Sequence, residues 1–141
     1  MNHLLPFISA HWPLCLALVL IIGLILINEG LNKKQQGKSV SSAKVIELMN
    51  HHGAIVFDLR ANDAYLAGHI IHAMALREDD LHLPRLEKYK DKPIILVCAR
   101  GTQSAQCAVK MRKLGFSTPL VLSGGMASWQ ADQLPLVKGK K

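Results

Sequence analysis

The run Pro93-Ile94-Ile95-Leu96-Val97 is apolar and β-prone, and it ends abruptly on Cys98, after which comes Ala99-Arg100-Gly101-Thr102-Gln103-Ser104. Beyond Ser104 the chain reads as a helix with Ala105, Ala108, Val109 and Met111 on its apolar side and Gly115 as terminator. Strand, short loop and helix in that order set a thiol at the carboxyl end of a strand, where open α/β sheets place their ligands. The thiol also faces the N-terminus of the next helix, whose free N–H groups and dipole favour an anion. Such surroundings favour the thiolate, which is the nucleophilic form of cysteine. Gly101 allows the loop to curl so that successive amides turn toward the sulfur. The expected chemistry is nucleophilic attack by Cys98, with Ala99 through Ser104 as the loop that binds and stabilises.

Other polar residues invite milder readings. Asp58 and Arg60 follow the apolar run Ala54-Ile55-Val56-Phe57, again at a strand's carboxyl end, and a structural charge pair is expected of them. His69, beside the turn residue Gly68, has no Asp or Cys at triad-like spacing and reads as a structural histidine. Asp79-Asp80 and His82 lack a second ligand set, so no metal is expected, and nothing in the sequence asks for a cofactor. Cys107 lies nine residues after Cys98 and could resolve an oxidised Cys98, but a buried packing role is expected. Three cysteines, Cys15 among them in an apolar run, do not make a disulfide framework.

The elements that must position these groups alternate. Ser41 or Ser42 caps a helix with Val45, Ile46, Leu48 and Met49 on its apolar face, ending near Gly53. Strands are expected at 54–57, weakly at 74–76, at 93–97 and at 119–122, and a short helix at 126–130 is anchored by Trp129 after the Ser123-Gly124-Gly125 turn. This alternation predicts an α/β domain with a mostly parallel sheet of four to five strands flanked by helices. Around Leu83, Leu86 and Tyr89 the chain reads as ordinary amphipathic surface structure.

Half of the 141 residues are apolar, and the surplus is concentrated at the N-terminus. Met1 to Asn28 contains no Asp, Glu, Lys or Arg, and residues 8–27 supply the roughly 20 residues that span hydrocarbon as a helix. The long run and the poor cleavage context at Asn28-Glu29-Gly30 favour an anchor over a signal peptide. Lys33, Lys34, Lys38 and Lys44 all follow the span, which by the positive-inside rule puts the N-terminus outside and the domain in the cytoplasm, at the inner (plasma) membrane. The expected organisation is an anchor over 1–31, a polar tether over 32–38, the α/β domain over 39–136 and a frayed basic tail over 137–141. The net charge of +7 is scattered, without an aromatic-interleaved basic patch, so nucleic acid is not an expected partner; membrane lipid, and a membrane protein beside it, are.

Taken in order, five motifs resemble the rhodanese (sulfurtransferase) family. They are Val56-Phe57-Asp58-Leu59-Arg60; Tyr65 through Gly68-His69-Ile70 and Ala73; the Cys98 loop; Lys113-Leu114-Gly115-Phe116; and Leu122-Ser123-Gly124-Gly125-Met126 with Trp129. With the leading span, the chain is similar to membrane-anchored bacterial members. The resemblance implies that Cys98 takes a sulfane sulfur from a small anion such as thiosulfate or from a low-molecular-weight persulfide. The sulfur is then held as a persulfide and passed to a thiol or other nucleophile. Departures from the family pattern are Ala99 and Gln103 where arginine is frequent, His72 where glycine is usual, and Ala64 where an acid is usual. A phosphatase is excluded because Ser104, not arginine, stands six positions after Cys98, so the bidentate phosphate clamp is missing. The alternative is a membrane-tethered interaction module with little or no turnover.

Overall fold

The computed structural model describes residues 10–35 and 37–139, and the chain divides into two units, Met1–Gln35 and Gln36–Lys141. The start of the apolar run at Ile8 and the last two lysines lie outside the described residues. The first unit carries helix α1 (Trp12–Gln35), of which Trp12–Leu31 is long and apolar enough to cross a membrane. Pro13 falls in the first turn, where its missing N–H costs nothing. The helix runs on through Asn32-Lys33-Lys34-Gln35, a stretch whose composition reads as tether. Lysine and glutamine are good helix formers, and cations suit a helix's C-terminal end.

In the second unit the elements are β1 (Lys38–Val40), α2 (Ser42–His51), β2 (Ile55–Asp58), α3 (Asn62–Ala67) and β3 (Met74–Ala75). After two 3₁₀ segments (Glu78–His82 and Pro84–Tyr89) come β4 (Pro93–Val97), α4 (Thr102–Lys113), β5 (Thr118–Leu122) and α5 (Gly125–Ala131). The five strands form one sheet in the order β1-β5-β4-β2-β3, and every pairing is parallel. Parallel strands need both faces covered, and period two supplies both faces here. Ile94, Leu96 and Cys98 pack on one side with Phe57, Val121 and the α4 residues Cys107, Ala108 and Met111. Ile95 and Val97 pack on the other with Val56, Leu120, Leu122, Val45 of α2 and Trp129 of α5. Ser41 caps α2, its hydroxyl accepting from Lys44 N at 3.3 Å.

Three features depart from the sequence expectation. Strand β1 carries no apolar run, yet pairs Lys38, Ser39 and Val40 with Leu120, Val121 and Leu122. It exists because β5 offers an open edge and because Gly37 before it lies close to α4; a Cβ there would collide with the Ala108 Cβ. The buried face of α4 keeps the expected Ala108, Met111 and Cys107 but adds Ser104, while Ala105 and Val109 are only half-buried, and the helix starts at Thr102. The tail is pinned as far as Gly139, rather than frayed. Val137 and His69 exchange backbone hydrogen bonds of 2.9 Å, and Gly139 N donates to Leu66 O.

Topology decides where ligands can go. From β2 the chain proceeds outward to β3, whereas from β4 it proceeds to β5 on the opposite side. The loops after β2 and β4 therefore diverge, and a crevice opens at the carboxyl ends of these two strands. Asp58 and Cys98 stand at those two ends.

Candidate active site

Cys98 is the first residue after β4, and two carbonyls tie its loop to α5. Met126 N donates to Cys98 O at 2.8 Å and Ala127 N to Ala99 O at 3.1 Å, so the loop satisfies the free amides at the start of α5. Beyond those carbonyls the Gly101 and Ser104 N–H groups turn toward the sulfur. Gly101, at φ +93°, makes the left-handed bend that completes the curl. Gly125 sits directly against the loop, and a Cβ on it would collide with Cys98 O and lie 2.8 Å from Arg100 N. The Gly124-Gly125 turn is visible in the sequence, but nothing local shows that its partner is the Cys98 loop.

The sulfur sits among donors. Gly101 N lies 3.0 Å from Cys98 Sγ, Ser104 N 3.4 Å and Ser104 Oγ 3.2 Å. Ser104 is the third residue of α4, so the sulfur itself takes the place of a capping side chain at the start of that helix. The cap at the start of α4 is thus supplied by Cys98. The Ser104 hydroxyl reaches Gly101 O (3.1 Å) when it donates there, and turns to the sulfur when a thiolate is present. Burial works to raise the Cys98 pKa. The Ser104 hydroxyl and the Ser104, Gly101 and Arg100 amides outweigh it, and the thiol titrates below its ordinary value. Removing one hydrogen bond to a charged sulfur, as in Ser104→Ala, is expected to slow iodoacetamide alkylation of Cys98 roughly tenfold near neutral pH. The pH–rate curve should shift upward, and an unmoved midpoint would rule Ser104 out as a thiolate donor.

The remaining loop residues divide by exposure. Ala99, Arg100, Thr102 and Gln103 face solvent, and Gly101 is half-buried. Cys107 is buried on the sheet side of α4, and burial, the Glu78 charge and the neighbouring Cys98 push its pKa up to about 12. Its raised pKa favours the protonated native state. That stabilisation is complete below the unfolded thiol's pKa of about 8.5 and is lost as pH climbs from there toward about 12. Mass mapping after brief alkylation at pH 7.5 is expected to find Cys98 modified and Cys107 intact until denaturant unfolds the domain.

The groups after β2 form a brace. Arg60 is paired bidentately with the buried Asp58, at 2.7 Å for Nη2–Oδ2 and 3.0 Å for Nε–Oδ1, and also donates to Gly68 O at 2.7 Å. Asp58 accepts the Arg60 amide as well. His69 is 2% exposed, stacks on Tyr65 at 3.8 Å between centroids, and places Nδ1 2.8 Å from Tyr65 O. Tyr65 in turn donates to Ala73 O at 2.7 Å. These side chains fix the loop that runs from β2 to β3 and take no part in the sulfur's hydrogen bonding. His72, where glycine is usual, holds φ +61°, the left-handed backbone that explains the usual glycine. Leaving a buried carboxylate unpaired is costly, so Arg60→Met is expected to cost about 3 kcal/mol. A denaturation midpoint unchanged from the parent would show the brace to be dispensable.

In the crevice predicted by the topology lies a cavity of about 730 Å³, lined among others by Arg60, Asn62, Arg77, Asp79 and, from the Cys98 loop, Gln103. Of these, sequence reading singled out only Arg60 and Gln103 as site residues. Asn62 opens α3, whereas Arg77 and Asp79 lie together where β3 gives way to the first 3₁₀ segment, and nothing local marks these two segments as neighbours.

Residues 41–132 match the model of the rhodanese-like domain. The chain is 32% identical to YibN of Escherichia coli (strain K12), over 99% of this chain and all of that protein. It is 33% identical to the thiosulfate sulfurtransferase GlpE of Pseudoalteromonas translucida, over 67% of this chain and 90% of that one. In three dimensions it is similar to the crystal structure of a thiosulfate sulfurtransferase from Pseudomonas aeruginosa. The TM-score is 0.66 at 22% identity, covering 74% of this chain and 20% of the other, a likeness of fold. The fold is thus shared with that thiosulfate sulfurtransferase, and the chain belongs to the rhodanese-like domain family.

Proposed function

We propose that this protein is a membrane-anchored sulfurtransferase in which Cys98 carries sulfane sulfur. The observation that supports this most directly is the set of N–H and O–H groups around Cys98 Sγ, which stabilises a sulfur anion. With a thiosulfate donor, the Cys98 thiolate attacks the outer sulfur and sulfite leaves with the electron pair of the broken S–S bond. The same donors then hold the Cys98 persulfide anion. An acceptor thiolate attacks that terminal sulfur, and the electron pair returns to Cys98 as thiolate, so transfer occurs in two steps. Asp58, Arg60 and His69 act as positioning residues. The test is the intact mass of the full chain in detergent after thiosulfate, and separately after a low-molecular-weight persulfide. A gain of one sulfur mapped to Cys98 is expected, whereas no gain from either donor on folded protein would favour the tethered interaction module.

Helix α1 supports the anchor reading, and the four lysines that follow the apolar run support a cytoplasmic domain. The protein is expected to stay in the membrane fraction through a carbonate wash, with its N-terminal segment uncleaved. A cytoplasmic reporter joined after Lys141 should be active; activity only from an external reporter would reverse the orientation.

A further inference from the structure

All the strands run the same way, so the sheet has one amino edge and one carboxyl edge, with Cys98 at the carboxyl edge. Helix α4 carries the chain from the carboxyl end of β4 back to the amino end of β5. The amino edge is basic. Arg112 and Lys113 close α4 there, and the turn ahead of β4 adds Lys90 and Lys92. The two segments are tied together, since Ser117 N and Ser117 Oγ both donate to Lys90 O, at 3.0 and 2.9 Å. Lys90 is paired with Glu87, but Lys92, Arg112 and Lys113 are exposed and enter no ion pair among the described residues. Asp91 is the single carboxylate in residues 90–92 and 112–118. On the carboxyl edge, by contrast, residues 58–80 and 98–104 hold three arginines and five carboxylates. Cations at the end of α4 suit its dipole, but Lys92 belongs to no helix.

We infer that the amino edge of the sheet docks on an anionic bilayer surface, with Lys92, Arg112 and Lys113 meeting lipid phosphates. The inference rests on the anchor reading above and adds an electrostatic contact to it. Only Gln36 and Gly37 stand between α1 and β1, a tether too short for the domain to leave the headgroup zone. Gly37 lies against Ala108, one helical turn before Arg112 on the same side of α4, so the chain joins the domain beside the basic edge. Anionic leaflets attract lysine and arginine held close to them. The carboxyl edge would instead bring carboxylates against the phosphates. With the amino edge on lipid, Cys98 and its loop face water, open to a soluble donor and acceptor.

The experiment uses the full chain in lipid nanodiscs, one set of phosphatidylcholine alone and one of phosphatidylcholine with phosphatidylglycerol. Acetylation of each lysine by an uncharged N-hydroxysuccinimide ester is followed by peptide mass mapping. In the anionic discs Lys92 and Lys113 are expected to react about fivefold more slowly. Lys44 in the first turn of α2 and Lys138 beside the Val137–His69 bridge lie toward the carboxyl edge and should stay within about twofold. Salt at about 0.5 M, where the Debye length is about 4 Å, should remove the difference. The double variant Arg112→Gln/Lys113→Gln should return Lys92 to within about twofold of its rate in the neutral discs. The comparison of lipids in the parent chain needs no variant to fold. Equal rates in the two lipids, slowing that survives salt or the double variant, or slowing at Lys44 and Lys138 alike overturns the inference. Slowing by duplex DNA in the neutral discs, with none from phosphatidylglycerol, would assign the edge to nucleic acid and overturn it too. In each of these cases the chain has entered the discs and the anchor reading survives. A chain that enters neither kind of disc overturns the anchor and the docking together.

Discussion

Replacing Cys98 by serine is expected to abolish sulfur loading, by at least about a thousandfold, while the domain stays folded. The two side chains are nearly the same size, and the site is already lined by donors that a hydroxyl can use, so packing changes little. Chemistry changes completely. A thiol whose pKa is lowered by its surroundings yields a thiolate, whereas a serine hydroxyl stays protonated there with no base within reach. Among the described residues no side chain of histidine or carboxylate type hydrogen-bonds to Cys98 Sγ, so the sulfur relies on its own acidity and on the loop amides. The paired control is Cys107→Ser, expected to load sulfur at the parent rate because Cys107 is a protonated packing residue. Intact mass after donor exposure reads both variants, and equal loading of the two would remove Cys98 from the mechanism.

The second large effect is expected at a residue with no functional group at all. Gly125 holds φ +59°, a region that costs a side-chain-bearing residue about 1–2 kcal/mol. Backbone conformation is the smaller part of the problem. A Cβ there would collide with Cys98 O and lie 2.9 Å from Ala99 C, so the loop itself must move. That movement strains the Met126 N–Cys98 O hydrogen bond and turns the amides away from the sulfur. Displacing catalytic groups by about 1 Å costs on the order of a hundredfold, which is the loss of loading rate expected for Gly125→Ala. Gly53→Ala separates the two causes. Gly53 also holds φ +59°, but a Cβ there meets nothing within 4 Å. Its variant should lose about 1 kcal/mol of stability and load sulfur normally. If both variants lose loading equally, the contact between Gly125 and the Cys98 loop is not what holds the site.

The difference between these glycines shows what could and could not be read along the chain. A buried strand ending on Cys98, with Gly101 after it and a helix beyond, is local chemistry, and residues 93–115 contain all of it. The α/β class and four of the five strands follow from apolar runs alternating with helical periodicity, because strands covered on both faces must be apolar throughout. Asp58 and Arg60 were legible as a charge pair because they are two residues apart. Strand β1 was not legible, since Lys38-Ser39-Val40 becomes a strand only through the free edge of β5, 82 residues away in sequence (Lys38 pairs with Leu120). On α4 the burial of Ala108, Met111 and Cys107 was legible, whereas that of Ser104 was not, because a polar residue does not count toward an apolar face although the sheet buries it.

The sequence by itself therefore determined the candidate nucleophile, the local loop and helix that lower its pKa, the sheet class, and an N-terminal helix apolar enough for a membrane. The tertiary structure alone decided what surrounds that nucleophile. The sheet order β1-β5-β4-β2-β3 sends the loops after β2 and β4 apart and brings Arg60, Arg77 and Gln103 to one cavity. It also places Gly125 against Cys98. The reason is physical: hydrogen bonds and helix dipoles act over a few residues of chain, whereas strand pairing and close packing join segments whose separation leaves no trace in local composition.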